Sequence, residues 1–287
     1  MKVEKVITLA NEHVRIPLLA LERSLRNVGC HLPLLVIPFD NRTFSLPPNA
    51  QWWELPEITQ WISKHQGRPH MRKYQCLIEK NYQFIDTDAI FLKNPEQVLK
   101  QHEGFVTSCG HWNNPGETLT EESEALLKRK TTVWQHLVFN TGQFACDRAL
   151  YPDLRSLQAT AENEECINTC LKNPFHEQPG LNLLVHLSGV PITNLTLPPY
   201  SMESTWAGDY LDGYEDFWRD SSKMPYLIHW AGTKPQKNTP IGELFFNYLT
   251  HKEKEEFLNQ QLKIKVSAFE SLRIRLRRAI RAFCTPL

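Results

Sequence analysis

The chain has 287 residues, 41 % of them hydrophobic, with 32 Lys and Arg against 32 Asp and Glu. That length buries a full core in one large domain, and the balanced formal charge leaves no whole-chain argument for a nucleic-acid partner. Seven cysteines, an odd number without framework spacing, argue against a disulfide-stapled scaffold and favour a reducing, cytoplasmic setting, and no apolar run is long enough to span a membrane.

Val6 to Ala10 is a short β-branched apolar run, followed by polar Asn11 to His13 and an amphipathic stretch from Pro17 to Val28 that stops at Gly29. This predicts strand, loop and helix, and the next apolar run, Leu32 to Phe39, predicts a second strand parallel to the first. Ligands of such α/β sheets bind at the carboxyl ends of strands, so Thr8, Asn11 and Asp40 are rim positions or helix caps. No glycine falls between Thr8 and Pro17, which excludes a glycine-rich phosphate loop there. Asn41 to Pro69 reads as loop with a short helix from Glu57 to Lys64, and Arg72 to Lys80 as a helix.

Tyr82 to Leu92 predicts one buried strand carrying Asp86 and Asp88. A period of two sets both carboxylates on one face, where they repel unless a cation lies between them. Hard oxygen ligands with open positions suit Mg or Mn carrying a phosphorylated substrate, and the alternative is a solvated turn. Phe105 to Cys109 is a further strand. Thr131 to Cys146 reads as strand interrupted by Asn140-Thr141-Gly142, a bulge or a close backbone approach. Glu162 to Leu171 is helical, and Glu177-Gln178 open a helix through His186 as caps or as site groups. Pro191 to Leu197 is a strand. Tyr200 to Trp218 is rich in aromatic residues, suited either to a core flap or to sugar platforms. Tyr226 to His229 delivers an imidazole to the rim, and Gly232 and Lys234 then form a loop able to meet phosphate oxygens.

Four motifs in this order, Asp86-Thr-Asp88, Phe139-Asn-Thr-Gly142, Glu177-Gln178-x-x-Leu181-Asn182 and His229-x-x-Gly232-x-Lys234-Pro235, resemble those of nucleotide-sugar-dependent glycosyltransferases of the type A fold. The resemblance is to the family 8 group, which includes glycogenin and bacterial galactosyltransferases, or to a related nucleotide-diphospho-sugar transferase family. It implies a Rossmann-like, mixed but mostly parallel α/β sheet with helices on both faces, covering about residues 1–250. It further implies Asp86, Asp88 and His229 as ligands of a divalent metal, and an imidazole in the set favours Mn over Mg.

By the same resemblance, Gly232 and Lys234 contact the donor diphosphate, while Lys73, Asn140, Thr141 and Gly142 contact its sugar. Thr8, Asn11 and Thr87 complete the expected donor contacts. Gln178, with Glu177 beside it, is the expected catalytic pair at the anomeric carbon. Glu177 stands where relatives carry Asp. The implied reaction moves a sugar from a nucleoside-diphosphate sugar, uridine being the favoured base, to an acceptor the sequence does not name, with retention at the anomeric carbon. The alternatives are a haloacid-dehalogenase-like phosphatase, a nucleotidyltransferase and a domain that binds nucleotide sugar without turnover.

Residues 251–287 read as a helical tail. From Leu262 onward there are seven basic residues and one acidic, and Phe269, Leu272, Leu276, Ile280 and Phe283 form an apolar stripe. The stripe either packs on the catalytic domain or docks peripherally on an anionic membrane.

Overall fold

The computed structural model describes residues 1–172 and 177–263. The stripe from Phe269 to Phe283 and its proposed membrane contact therefore lie outside the described residues. Among the described residues, no helix is long and apolar enough to cross a membrane.

A seven-stranded sheet organises the chain. In chain order its strands are β1 (Lys5–Ala10), β2 (Leu34–Pro38), β3 (Ala50–Trp52), β4 (Tyr82–Ile85), β6 (Phe105–Thr107), β7 (Gln143–Cys146) and β8 (Ile192–Asn194), while β5 (Ala89–Phe91) and β9 (Leu227–His229) pair in a separate ribbon. The order across the large sheet is β3-β2-β1-β4-β7-β6-β8, and β7 alone of the seven runs antiparallel. The predicted mixed, mostly parallel α/β sheet is what forms. Helix α1 (Arg15–Asn27) makes the crossover between β1 and β2.

Parallel strands bury both faces, and β1 shows how its sequence allows this. Ile7 and Leu9 enter the core on one face, and Val6 and Ala10 the core on the other. On the first face a row of rings crosses three strands: Phe144 on β7 stacks on Phe84 of β4 at 4.9 Å and on Phe105 of β6 at 5.3 Å. A third apolar cluster lies around Trp230, Phe245 and Phe257. Residues 251–263 are helical, and they join this cluster through Phe257, Arg15–Glu256 and Arg23–Glu253.

Four local expectations need correction. Tyr82 to Leu92 is not one strand. The chain leaves the large sheet after Ile85, and Ala89–Phe91 pairs instead with β9, because residues 227–229 offer a second ladder. Residues 69–78 form a 3-10 helix in place of the α-helix expected over Arg72 to Lys80. Its three-residue period aligns Met71, Tyr74 and Leu77, all fully buried. In Thr131 to Cys146 only Gln143–Cys146 is strand, and Trp134–Leu137 is a 3-10 turn.

The helix expected over Glu162 to Leu171 is displaced. Helix α5 (Leu154–Ala161, counting α2 Pro56–Lys64, α3 Pro95–Leu99 and α4 Glu121–Lys130 before it) ends at Glu162, and α6 (Ile167–Cys170) is a single turn. The signal for α5 was Asp153-x-x-Ser156, whose side chains reciprocally cap its first turn.

Candidate active site

The break between β4 and β5 is what assembles the site. Asp86, Thr87 and Asp88 occupy it, held at each end by the backbone: Asp86 N–H donates to Gly142 O at 2.7 Å, and Trp230 N–H donates to Asp88 O at 2.8 Å. In the β5–β9 ladder Ala89 lies opposite His229, so the antiparallel register carries the imidazole to Asp88 across 140 intervening residues of chain. Ligand atoms of Asp86, Asp88 and His229 all fall within 4.8 Å of one another, and His229 Nε2 is 3.2 Å from Asp88 Oδ1.

Electrostatics around this trio are those of a cation site. Burial opposes a charged His229 imidazole, but Asp88 and then Asp86 overcome it and raise its proton affinity. Asp88 in turn is pulled down to about 2 against the cost of burial, chiefly by the His229 charge and hydrogen bond. Burial pushes Asp86 up despite Lys73 and His229. Both carboxylates thus favour positive charge at the imidazole, and a divalent cation with two oxygen donors and one nitrogen donor would supply that charge in place of a proton. Gly142 keeps the space open, since a Cβ there would collide with His229 Cε1 and approach Asp86 Oδ2 to 2.9 Å.

Behind Asp86 lies a buried polar network. Lys73 Nζ is 3.0 Å from Asp86 Oδ1 and 2.8 Å from Glu177 Oε1, donates to Thr141 O at 3.3 Å, and sits 5.2 Å above the Phe84 ring. Burial disfavours the ammonium, yet the two carboxylates raise its proton affinity. Glu177 also accepts from Thr141 Oγ1 at 2.6 Å. Burial raises its pKa, but Lys73 prevails and holds it down at about 2. Gln178 Oε1 accepts from Thr141 N–H at 3.3 Å. Asn140 Oδ1 accepts from Gly142 N–H at 2.7 Å, closing the turn that presents Gly142.

Most of the residues expected from sequence are therefore brought together. Asp86, Thr87, Asp88, Asn11 and Lys234 line one cleft of about 350 Å³ at the carboxyl ends of β1 and β4. Gly232 turns the chain after β9 with φ +68°, a conformation that favours glycine, and so sends Lys234 to that cleft. Thr8 is not with them: it is fully buried, and among the described residues its hydroxyl has no hydrogen-bond partner.

The cleft residues not anticipated include His13, Phe39, Arg42 and His70. Arg42 pairs with Asp40, holding that carboxyl well below the usual range, and Asn11 donates to Asp40 at 2.9 Å. A polar cluster directly after β2 was the available signal. Asn182 was quoted within a motif but given no role. It accepts from Phe139 N–H at 3.0 Å and donates to Phe139 O at 2.8 Å, fixing the segment that leads into Asn140.

No protein-family model matches the chain, and no curated protein does. Among solved structures it is similar to the apo form of WbbM, a bifunctional glycosyltransferase, with a TM-score of 0.58 and 14 % identity over 91 % of this chain and 52 % of that one. It is also similar to the glycosyltransferase GlyE of Streptococcus pneumoniae TIGR4, with TM-score 0.48 and 12 % identity over 93 % of this chain and 64 % of that one. The galactosyltransferase LgtC, solved with donor and acceptor sugar analogues, gives TM-score 0.48 and 12 % identity over 88 % and 99 %. The chain spans about half the length of WbbM. The fold is that of a type A glycosyltransferase, a conclusion that rests on the WbbM comparison.

Proposed function

We propose that the chain is a metal-dependent glycosyltransferase that uses a nucleoside-diphosphate sugar, with uridine the favoured base, and retains anomeric configuration. The observation that carries this reading is the convergence of Asp86, Asp88 and His229 in the cleft that Lys234 also lines. The glycosyltransferase fold of WbbM supports it.

Asp86, Asp88 and His229 would hold a divalent cation, Mn in preference to Mg, and bound there it would supply charge neutralisation for the donor diphosphate. The chain's own residues do the rest. Lys234 offers a point charge to the diphosphate oxygens as the bond from the anomeric carbon to phosphate oxygen breaks and its electron pair leaves with the diphosphate. The acceptor hydroxyl oxygen bonds the anomeric carbon on the face being vacated, and its proton passes to the departing phosphate oxygen. Lys73 and Glu177 fix Asp86 and Thr141 on opposite sides of one buried ion pair. Glu177, committed to Lys73 and Thr141, serves as a positioning residue, and Gln178 is the side chain assigned to the anomeric carbon.

Incubation with UDP-, GDP- and ADP-sugars, with and without Mn, tests this by nucleotide release and by proton NMR of the sugar product. Mn-dependent release of UDP with a retained first-formed product is expected. Absence of Mn-dependent release from every donor overturns the transferase reading, and an inverted product overturns retention.

A further inference from the structure

Another cleft, of about 310 Å³, is formed in part by the chain just after His229. Its lining includes His111, Asn113, Asn114, Glu117, Trp206 and Asp209. It connects to the metal trio through the backbone. Trp206 bridges to His229, His229 N–H donates to Thr205 O at 2.8 Å, and Ala231, two residues after His229, lines the cleft.

Trp206 is built into this cleft and still available. Its indole Nε1–H donates to Ala231 O at 2.9 Å, its backbone N–H donates to Ser204 Oγ at 3.1 Å, and Gly208 packs so closely that a Cβ there would collide with the ring. Despite these restraints the residue is 43 % exposed. A fixed, exposed aromatic surface beside amides, carboxylates and an imidazole suits the mixed polar and apolar faces of a sugar ring. The lining contains two carboxylates, Glu117 and Asp209, and neither Lys nor Arg. A phosphorylated or otherwise anionic ligand would meet like charge there.

We infer that this cleft is the acceptor subsite, and that it takes an uncharged or amino-bearing pyranose stacked on Trp206 and excludes phosphorylated sugars. The inference rests on the glycosyltransferase reading above for the word acceptor, and on the cleft's own residues for the ligand class.

Saturation-transfer NMR on the full chain tests it. The probes are the methyl glycosides of glucose, galactose and N-acetylglucosamine, with glucose 6-phosphate and galactose 6-phosphate as anionic counterparts. At least one neutral glycoside should bind, should remain bound with UDP and Mn present, and should bind at least roughly fivefold more tightly than the phosphorylated sugars. Trp206→Ala should weaken it about tenfold and Trp206→Phe much less. Should Trp206→Ala fail to fold by circular dichroism, Asn113→Ala, on the exposed side of the cleft, should weaken the same glycoside severalfold.

Unchanged binding in a folded Trp206→Ala, equal binding of the phosphorylated sugars, or loss of the signal to UDP and Mn overturns the inference. Nucleotide release with Mn, measured on the same samples, reports on the donor reading separately. Trp206-dependent glycoside binding without any nucleotide release supports the saccharide cleft while ending the transferase reading.

Discussion

Lys73 and Glu177 form an ion pair of 2.8 Å in which both side chains are almost fully withdrawn from solvent, at 3 % and 4 % exposure. Such a pair holds position more than it adds stability, because desolvation cancels much of the attraction, but breaking it strands a charge. Lys73→Met leaves Asp86 and Glu177 without their shared cation. It should destabilise the fold by about 3–5 kcal/mol in urea titration. A loss below about 1 kcal/mol would mean that water or another group already compensates the carboxylates.

Gly142 tests the shape of the site. Gly142→Ala drives a methyl group into His229 Cε1 and toward Asp86 Oδ2. Mn affinity should fall at least about tenfold, while overpacking costs about 1–3 kcal/mol of stability. Calorimetric titration with Mn reads the first and thermal unfolding the second. Wild-type Mn affinity in the variant would place the ion away from this trio.

Asn182 secures the same turn from behind. Asn182→Ala removes both the acceptor for Phe139 N–H and the donor to Phe139 O, and should cost about 2–4 kcal/mol in chemical denaturation. Asn182→Asp keeps the acceptor and loses the donor, so it should fall between the wild type and Asn182→Ala. Equal stability of all three would remove the clamp from the account.

The Arg23–Glu253 pair gives an acid-sensitive link between α1 and the helix at 251–263. The Arg23 hydrogen bond, acting against burial, lowers Glu253 from 4.5 to about 2. A carboxylate depressed in the folded state contributes stability above its unfolded pKa and loses it as pH falls through the folded value. Wild type should therefore exceed Glu253→Gln by about 1 kcal/mol at neutral pH, the pair being partly exposed, with the gap closing between about pH 4.5 and pH 2. A pH-independent gap would assign the difference to packing.

Much of this site was legible because its pieces are local. Each apolar run before a polar residue announces a strand end, which is how Asp86, Asp88 and His229 could be singled out. What brings them together is not local: nothing in Tyr82 to Leu92 says that the chain changes sheets after Ile85, and the pairing of Ala89 with His229 is a long-range register. The Lys73–Glu177 contact was hidden for a similar reason. A 3-10 helix over 69–78 turns Lys73 inward, and the α-helix expected over Arg72 to Lys80 gave no sign of its contact with Glu177. Thr8 fails in the opposite sense: it lies inside the apolar run from Val6 to Ala10, and β1 continues past it to Ala10 and keeps it buried.

The most direct test of the central claim is the electron paramagnetic resonance titration of Mn with UDP present, comparing wild type with Asp88→Asn and His229→Ala. One Mn per wild-type chain is expected, weakened at least about tenfold in each variant while both remain folded, since each loses a ligand or its charge. Equal Mn binding by all three proteins would contradict the assignment of Asp86, Asp88 and His229 as the metal site.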